Sequence, residues 1–250
     1  MSGSDIERRV RRRKTVAVAA PPRSAPRAAA RRRHPTGGGY ARGAQTRQRI
    51  IESALEIFGN QGYERAATRA IARHAAVSLP ALQYYFGGKE GLYRACAEYI
   101  TADVRERLAP ASDGVRAALA APRLSHAELL ALLRKVLEPF LEGMVTDRPE
   151  SWVLFFTRAQ TEHGAAFNIF FERVGGGLIG LCAELVARLL GLSPEQPEAL
   201  IRAVSIVGQI AVLRRGRPIV LRALDWPDFA GRRLETLKAV IWRQIESGLG

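Results

Sequence analysis

The sequence predicts an all-α protein with a small N-terminal helix-turn-helix domain and a larger C-terminal helical domain. Apolar residues recur at helical spacing from about residue 44 to the end of the chain. Between residues 68 and 92, two short helical stretches are joined by a tight turn and followed by a longer one. No stretch alternates convincingly between apolar and polar residues, so we expect helices packed on helices and no sheet.

Composition sets the outer limits of this prediction. The chain has 250 residues, of which 47% are apolar, enough for a packed core over most of its length. It has no run of about 18 or more uninterrupted apolar residues, so we expect no transmembrane helix. The first residues lack the continuous apolar segment of a secretory signal, which favours a cytoplasmic protein.

Residues 1–43 are predicted to form a disordered basic arm. Twelve of the 38 Arg and Lys residues lie here against Asp5 and Glu7, which gives the segment a net charge of +10 out of the total of +14. The segment has no amphipathic period and contains the Gly37-Gly38-Gly39 hinge, so it cannot bury enough apolar surface to fold. It could contact phosphates of a nucleic acid. A mitochondrial presequence and a dispensable solvated tail are the alternatives.

The first helix is predicted to begin near Ala44, where order begins. Gly62 follows Asn60-Gln61 and is a suitable helix end. One apolar stripe defines the helix and consists of Ile50, Ile51, Ala54, Leu55 and Phe58.

Two short helices come next. Thr68 can cap the first of them, which runs through Ile71, Ala72 and Ala75. A tight turn over residues 76–78 would then reverse the chain direction.

Ser78 can cap the second short helix, over residues 79–86. Pro80 lies in its first turn, where a missing N–H costs nothing. Gly87-Gly88 would end this helix, and a longer helix would begin at Lys89. Helix, tight turn and helix, followed by a bracing helix, are the features of a helix-turn-helix unit.

The rest of the chain is predicted to be helical. Ser125 and Glu128 have the spacing of a capping box ahead of an apolar stripe, and Pro149 begins another helix.

The last three helices have clear sequence signals. Residues 165–190 are predicted to form a long apolar helix, interrupted or closely packed at Gly175-Gly176-Gly177, and Gly191 would end it. Ser193-Pro194-Glu195-Gln196 has the residues of a helix start. The final helix would begin at or near Asp228.

The two cysteines, Cys96 and Cys182, lie far apart in helical sequence. We expect two buried thiols in a reducing compartment. A redox switch is the alternative, although neither thiol has a neighbouring CxxC partner or a basic cluster that would lower its pKa.

Enzymatic activity is not expected. The four histidines, His34, His74, His126 and His163, are scattered and have no ligand partners at metal-binding spacing, so we expect no metal and no cofactor. The sequence contains no nucleophile elbow, P-loop or dinucleotide-binding glycine motif in a strand–helix context. A membrane-surface module is disfavoured because no apolar face accompanies the Arg runs.

Many spaced positions between residues 45 and 92 form one pattern. These positions are Arg49-Ile50-Ile51, Ala54-Leu55-x-x-Phe58, Gly62-Tyr63, Thr68-x-x-Ile71-Ala72, Val77-Ser78, Leu82, Tyr85-Phe86 and Lys89-Glu90-x-Leu92. Together they resemble the TetR family of repressors. The CecR-type subgroup is the most similar, through Ala67-Thr68-Arg69-x-Ile71-Ala72 and Tyr84-Tyr85-Phe86-Gly87-x-Lys89-Glu90-x-Leu92-Tyr93.

The sequence departs from the family pattern at two positions. Ala76 stands where the turn usually has glycine, and a left-handed Ala would cost on the order of 1 kcal/mol. Gln83 stands where an aromatic residue is common, so an operator cannot be transferred from relatives.

The resemblance implies a DNA-binding transcriptional regulator, a repressor by family habit. Residues 44–92 would bind double-stranded operator DNA, and residues 93–250 would bind an effector and dimerise. The second short helix would enter the major groove. Base-facing residues would be Leu79, Pro80, Ala81, Gln83 and Tyr84, and phosphate contacts would come from Thr68, Arg69, Ser78, Tyr85 and Lys89.

The resemblance also implies a homodimer on a palindrome, paired through a four-helix bundle of the late long helices. The candidate interface residues are Leu178, Leu181, Leu185, Leu189, Val204, Val207 and Ile210. The alternative is that these residues pack only the core of one chain.

A cluster of aromatic and polar residues is the candidate pocket for a small hydrophobic or amphipathic effector that releases the DNA. The candidates are Trp152, Phe155, Phe156, Arg158, Gln160, His163, Phe167 and Phe171, with Glu162 and Phe170 beside them. The alternative is an ordinary hydrophobic core. For the whole chain, the alternative function is a sequence-tolerant DNA-binding protein driven by the arm.

Overall fold

A computed structural model describes residues 38–249 except 122, 147, 163 and 194. Residues 1–37, which hold most of the predicted arm, lie outside the described residues. The described part contains helices and no strand, so the all-α prediction is confirmed. The α-helices are α1 (Gly38–Arg65), α2 (Thr68–His74), α3 (Leu79–Phe86), α4 (Lys89–Leu119), α5 (His126–Val145), α6 (Glu150–Glu162), α7 (Ala165–Phe170), α8 (Gly176–Leu190), α9 (Pro197–Leu224) and α10 (Arg232–Ser247). No helix of this part is long and apolar enough to cross a bilayer.

Helix α1 begins at Gly38, six residues before the predicted start at Ala44. Residues 38–43 contain no proline, so nothing blocks the N-terminal extension of the helix, and the packed apolar stripe of α1 compensates for the low helix propensity of the three glycines there. A Cβ atom on Gly43 would lie 3.7 Å from the phenol oxygen of Tyr85, so α1 also passes close to α3. Gly62 interrupts α1 with a φ of 78°, as the predicted helix end requires.

The two short helices form where the sequence predicts them. The hydroxyl of Ser78 accepts a hydrogen bond from the Ala81 N–H at 3.2 Å, which confirms the predicted cap of α3. The prediction for α2 was wrong by one residue. Ala67 is the N-cap and has no side-chain cap, because Thr68 is already helical.

The turn between α2 and α3 contains a left-handed alanine. Ala76 has a φ of 51°, the conformation in which glycine is usually found. The Val77 N–H donates to the Ala72 carbonyl at 2.9 Å. The Arg49 guanidinium on α1 donates to the Ala75 carbonyl, also at 2.9 Å. These two hydrogen bonds hold the turn in place against the strain of Ala76.

The described residues form two hydrophobic cores. The N-terminal core joins α1–α4 to residues of α6 and α7, including Phe155 and Phe170. The C-terminal core joins α4, α5, α8, α9 and α10. Helix α4 contributes to both cores, and the predicted domain boundary between residues 92 and 93 falls inside it.

The long helix predicted over residues 165–190 is divided by a π-helical turn at Phe171–Gly175. The Gly176 N–H donates back to the Phe171 carbonyl, five residues earlier. The interruption therefore lies at the start of the predicted glycine run. Gly191 ends α8 in a left-handed conformation, as predicted.

The last two helices begin later than predicted. Helix α9 has Gln196 as N-cap and Pro197 as its first residue, and Ser193 lies in the preceding turn. The proline that takes the first helical position is thus Pro197, which suits that position as well as Pro194 would. Helix α10 begins at Arg232, because the Asp228 carboxylate is occupied by the Ala230 N–H and the Arg233 guanidinium before the helix starts.

Both cysteines are buried free thiols, as predicted. Burial raises the pKa of each, that of Cys182 to about 12. A protonated, buried thiol reacts slowly with oxidants, so neither residue has the environment of a redox switch.

Candidate DNA-binding surface and effector cavity

Helix α3 is amphipathic and presents one face to solvent. Leu82 and Phe86 are buried in the N-terminal core. On the opposite side the Tyr84 side chain is 84% exposed. The predicted base-facing residues divide accordingly: Leu79, Pro80, Gln83 and Tyr84 are exposed, and Ala81 is half-buried.

The side chains around this face are held in defined positions. Tyr84 and Tyr85 meet edge to face, with ring centroids 5.3 Å apart. The Gln83 amide donates to the Gly87 carbonyl at 2.9 Å. This bond uses one of the two N–H donors of the Gln83 amide, so the second donor and the carbonyl oxygen remain for a base edge.

The predicted phosphate-binding residues surround α3, but they differ in availability. Thr68, Arg69 and Ser78 lie at the surface on either side of the turn. Lys89 is occupied in this structure: its ammonium donates to the Glu64 carbonyl at 3.0 Å and lies 4.7 Å from the centre of the Tyr63 ring. A phosphate contact by Lys89 would compete with these two interactions.

One exposed cation near α3 was missed by the sequence analysis. The guanidinium carbon of Arg47, on α1, lies 5.3 Å from the centre of the Phe86 ring. Arg47 lies outside the matched pattern of residues, so only the packing of α1 against α3 reveals its place.

A largely apolar cavity of about 470 Å³ lies among α4, α5, α6, α7, α8 and α9. This volume is within the range of roughly 300–1,000 Å³ that is typical of small-molecule sites. Five predicted pocket residues line it, namely Trp152, Phe156, Gln160, Phe167 and Phe171. His163 lies outside the described residues.

Two predicted pocket residues do not line this cavity. Phe155 is fully buried in the N-terminal core, with its ring centroid 4.8 Å from that of Tyr93. Arg158 donates to the carbonyl groups of Gly59 and Asn60 on α1, at 2.7 and 2.8 Å. Their placement in the pocket was wrong because α6 has two apolar-facing sides, and sequence cannot tell which side faces a cavity.

Helix α6 therefore connects the cavity to α1. Its residues 152, 153, 156, 157 and 160 line the cavity, and its residues 155, 158, 159 and 162 face the N-terminal core. Trp152 does both, because it also packs against the edge of the N-terminal core. The Glu162 carboxylate accepts a hydrogen bond from the Tyr93 hydroxyl at 3.2 Å. Burial, followed by the charge of Glu162, raises the pKa of Tyr93 and keeps this phenol as the donor.

Helix α6 also approaches α1 closely beside Gly62. A Cβ atom on Gly62 would lie 2.9 Å from the Glu162 carboxylate and 3.2 Å from the Arg158 guanidinium.

The cavity also has lining residues that the sequence analysis missed. They come from α4, α5, α8, α9 and the segment between α5 and α6, and they include four arginines. No local pattern marks them, because their common position results only from helices packing together. Representative members are Ile100, Val104, Arg107, Phe140, Arg148, Leu178, Val207, Val212, Arg214 and Arg215.

The candidate dimer residues lie mostly inside the chain. Leu178, Leu181, Leu185 and Ile210 are buried in the C-terminal core, so they have no surface to offer a second copy. Leu189 and Val207 are half-buried against the same core. Val204 alone among the seven is exposed, at 47%. It shares the outer side of α9 with other exposed apolar residues, which are Leu200, Ile201 and Ile219.

Two family models match this chain. The one described as bacterial regulatory proteins of the tetR family matches residues 50–96, which cover most of α1 through the start of α4. The one described as the C-terminal domain of the HTH-type transcriptional dual regulator CecR matches residues 129–250.

Individual relatives agree with these matches. The chain is 26% identical to the HTH-type transcriptional dual regulator CecR of Shigella flexneri over 205 residues, which cover 82% of this chain and 92% of the relative. It is 31% identical over 209 residues to an uncharacterized HTH-type transcriptional regulator in the dhlA 5′ region of Xanthobacter autotrophicus, covering 83% and 93%. The structure of a TetR-like transcriptional regulator from Rhodococcus sp. RHA1 superposes with a TM-score of 0.54 at 25% identity, covering 81% and 97%. The chain belongs to the TetR family of bacterial DNA-binding transcriptional regulators and is of the CecR type.

Proposed function

We propose that this regulator is a cytoplasmic, ligand-responsive repressor that binds a palindromic operator as a homodimer and leaves it when a small amphipathic effector fills the cavity. One observation carries the proposal: α6 lines the cavity with one side and holds α1 of the DNA-binding domain with the other. A ligand that shifts α6 would therefore also shift the domain that presents α3.

The DNA-binding step would be performed by α3 in the major groove. Its exposed residues Leu79, Gln83 and Tyr84 would contact bases. Thr68, Arg69 and Ser78 would hold phosphates and set the position of α3 on the duplex. Lys89 would join them by exchanging its Glu64 carbonyl for a phosphate.

The dimer would form through the exposed side of α9. A single helix-turn-helix contacts too few base pairs for useful specificity, and two of them about 34 Å apart match successive turns of the duplex. Apolar side chains along α9, such as Ile201, Val204 and Ile219, are otherwise left in water. The dimer interface would therefore consist of outward-facing residues of α9, because the leucines of α8 face the core.

A substitution on α9 tests the dimer. Ile201→Glu would place a charge in the proposed interface, and we expect sedimentation to show a shift from dimer to protomer. Thr236→Glu, at an exposed position on α10, is the matched control and should leave the dimer intact. A variant that remains dimeric with Glu at 201 would rule out this face.

The effector step is a change in populations. A ligand that binds better to the form with low DNA affinity would shift the protein toward that form. Linkage then requires that operator DNA weaken effector binding by the same factor.

DNA binding itself is tested by fluorescence anisotropy at about 150 mM salt, with the duplex upstream of this gene and a scrambled duplex of equal length. Specific regulators prefer their site by roughly a thousandfold or more, and we expect that preference at two protomers per duplex. The alternative function, sequence-tolerant binding through the arm, predicts no preference, and predicts that affinity disappears when residues 1–37 are removed. If neither duplex is preferred, bound sequences are selected from genomic DNA. Recovery of one enriched sequence would show that the operator lies elsewhere, and recovery of none would show that the protein binds DNA without specificity.

A further inference from the structure

We propose that the cavity takes an amphiphile with one apolar chain and an anionic head group, such as a carboxylate or a phosphate. The inference rests on the proposed effector role of the cavity and adds the charge of the ligand. It follows from an uneven distribution of apolar and cationic residues around the cavity.

The body of the cavity suits an apolar chain. Phe156 and Phe170 meet edge to face with centroids 4.7 Å apart, and Phe167 stacks toward Phe171 at 6.4 Å. Leu178 and Val207 continue the apolar wall on α8 and α9. Such a surface binds hydrocarbon through burial of apolar area and offers few hydrogen bonds.

The charged lining residues all carry the same sign. Among the described residues that line the cavity, every charged side chain is an arginine: Arg107 from α4, Arg148 from the segment before α6, and Arg214 and Arg215 from α9. Three of the four lie at one end of the cavity. Arg107 and Arg148 contact the same carboxylate, and Arg214 donates to the carbonyl of Thr146, two residues before Arg148.

Two of these arginines, Arg107 and Arg148, share one carboxylate in the part of the chain that the structure describes. The two oxygens of Asp103 lie 2.7 Å from the Arg148 guanidinium and 3.2 Å from that of Arg107, so one carboxylate serves two cations. The Arg148 side chain is 12% exposed and stacks 5.5 Å from the centre of the Trp152 ring. A guanidinium that is shielded from water and shares a carboxylate with a second arginine attracts an anion strongly.

The guanidinium groups also have the right shape for either head group. Each presents paired N–H donors that can bind a carboxylate or a phosphate with two hydrogen bonds. A neutral alcohol would gain the apolar contacts but not these bonds. A cationic amphiphile would meet like charge.

Binding of three matched ligands to the full-length protein tests the proposal: decanoate, decyl phosphate and 1-decanol, measured by isothermal titration calorimetry below their aggregation limits. Hydrogen bonds to charged groups contribute enough for about tenfold or more in affinity, so we expect at least one anion to bind tenfold more tightly than decanol. Preference for decanoate or for decyl phosphate would identify the head group. Equal binding of decanol and both anions, or no binding of any of the three, would overturn the inference.

Two substitutions with opposite expected effects locate the anion. Arg148→Gln should weaken binding of the preferred anion about tenfold and leave decanol within about twofold. Asp103→Asn removes the competing carboxylate and should strengthen anion binding several-fold, which keeps the test valid if Arg148→Gln is unstable. Arg105→Gln, on the same helix as Arg107 but outside the cavity lining, is the matched control and should change neither. Anion affinities that respond alike to all three substitutions would contradict the proposal.

These outcomes are separate from those of the proposed function. Operator binding by ligand-free protein is measured without any amphiphile. If that binding is specific while no anion preference is found, the repressor proposal stands and the anionic ligand is rejected.

Discussion

The N-terminal and C-terminal cores differ in how they are assembled from the chain. The C-terminal core is built by the long helices α4 and α5 together with α8 to α10. The N-terminal core takes α1–α4 from one end of the chain and Phe155, Ala166 and Phe170 from about 60 residues further on. Helices α6 and α7, which line the cavity, therefore also contribute to the core of the DNA-binding domain, and the stability of that domain depends on them.

The largest expected effect comes from separating the two sides of α6. Phe155→Ala removes a fully buried ring from the N-terminal core and should lower the free energy of unfolding by about 3–5 kcal/mol. Urea denaturation measures this value. The neighbouring Phe156, which lines the cavity and is 38% exposed, is the matched control, and Phe156→Ala should cost clearly less. Similar losses at both positions would mean that the two sides of α6 are not distinct.

Arg158→Met tests the polar link between α6 and α1. It leaves the Gly59 and Asn60 carbonyls without their donors, and hydrogen bonds to charged groups contribute about 1.5–3 kcal/mol each when shielded. Because part of this contact is exposed, we expect a total loss of about 2 kcal/mol in unfolding free energy. Operator affinity should fall as well, since α1 loses its anchor.

The control for Arg158 is Arg173→Met, which breaks an exposed ion pair with Glu98 at 3.0 Å. Exposed pairs contribute about 0–1 kcal/mol. Equal losses for the two arginine variants would show that the link between α6 and α1 is an ordinary surface contact.

Tyr84→Ala should separate binding from folding. The side chain is 84% exposed, so the unfolding free energy should change by about 0.5 kcal/mol or less. A lost base-reading side chain costs about 1–3 kcal/mol, or tenfold and more in operator affinity. Anisotropy and urea denaturation on the same samples measure both, and unchanged affinity would remove Tyr84 from the DNA contact.

The smallest effect is a gain at the turn. Ala76→Gly relieves a left-handed alanine and should raise the unfolding free energy by about 1 kcal/mol, while leaving operator affinity nearly unchanged. Ala120→Gly, at the right-handed C-cap of α4, is the control and should give no gain. If Ala76→Gly destabilises the protein, the strain assigned to this turn is wrong.

The difference between the two regions also explains which features sequence could predict. The helix-turn-helix is specified by neighbouring residues: Ser78 caps α3, and glycines at 62 and 87 end helices in left-handed conformations. Even the left-handed strain at Ala76 could be predicted, because alanine stands where glycine is usual. Local chemistry is sufficient for these helix ends because each cap or turn involves residues only a few positions apart.

The cavity and the dimer surface depend on packing between distant residues. Arg107, Arg148 and Arg214 have no local pattern in common and meet only because six helices enclose one space. Helix α9 is apolar on more than one side, with Ile210 buried and Ile219 exposed, so periodicity cannot tell the interior from a surface that binds a partner. Sequence therefore predicted the right aromatic region but assigned Phe155 and Arg158 to the wrong side of α6.

The π-helical turn at Phe171–Gly175 bears on how this family changes by insertion and deletion. A π turn contains one residue more than an α turn, so it rotates everything that follows by about 100°. Loss of one residue here would turn the apolar side of α8 away from its core. We expect relatives with a shorter sequence at this point to form an uninterrupted α-helix, with compensating changes in which positions downstream are apolar. Alignments of such relatives should place the length difference within these five residues.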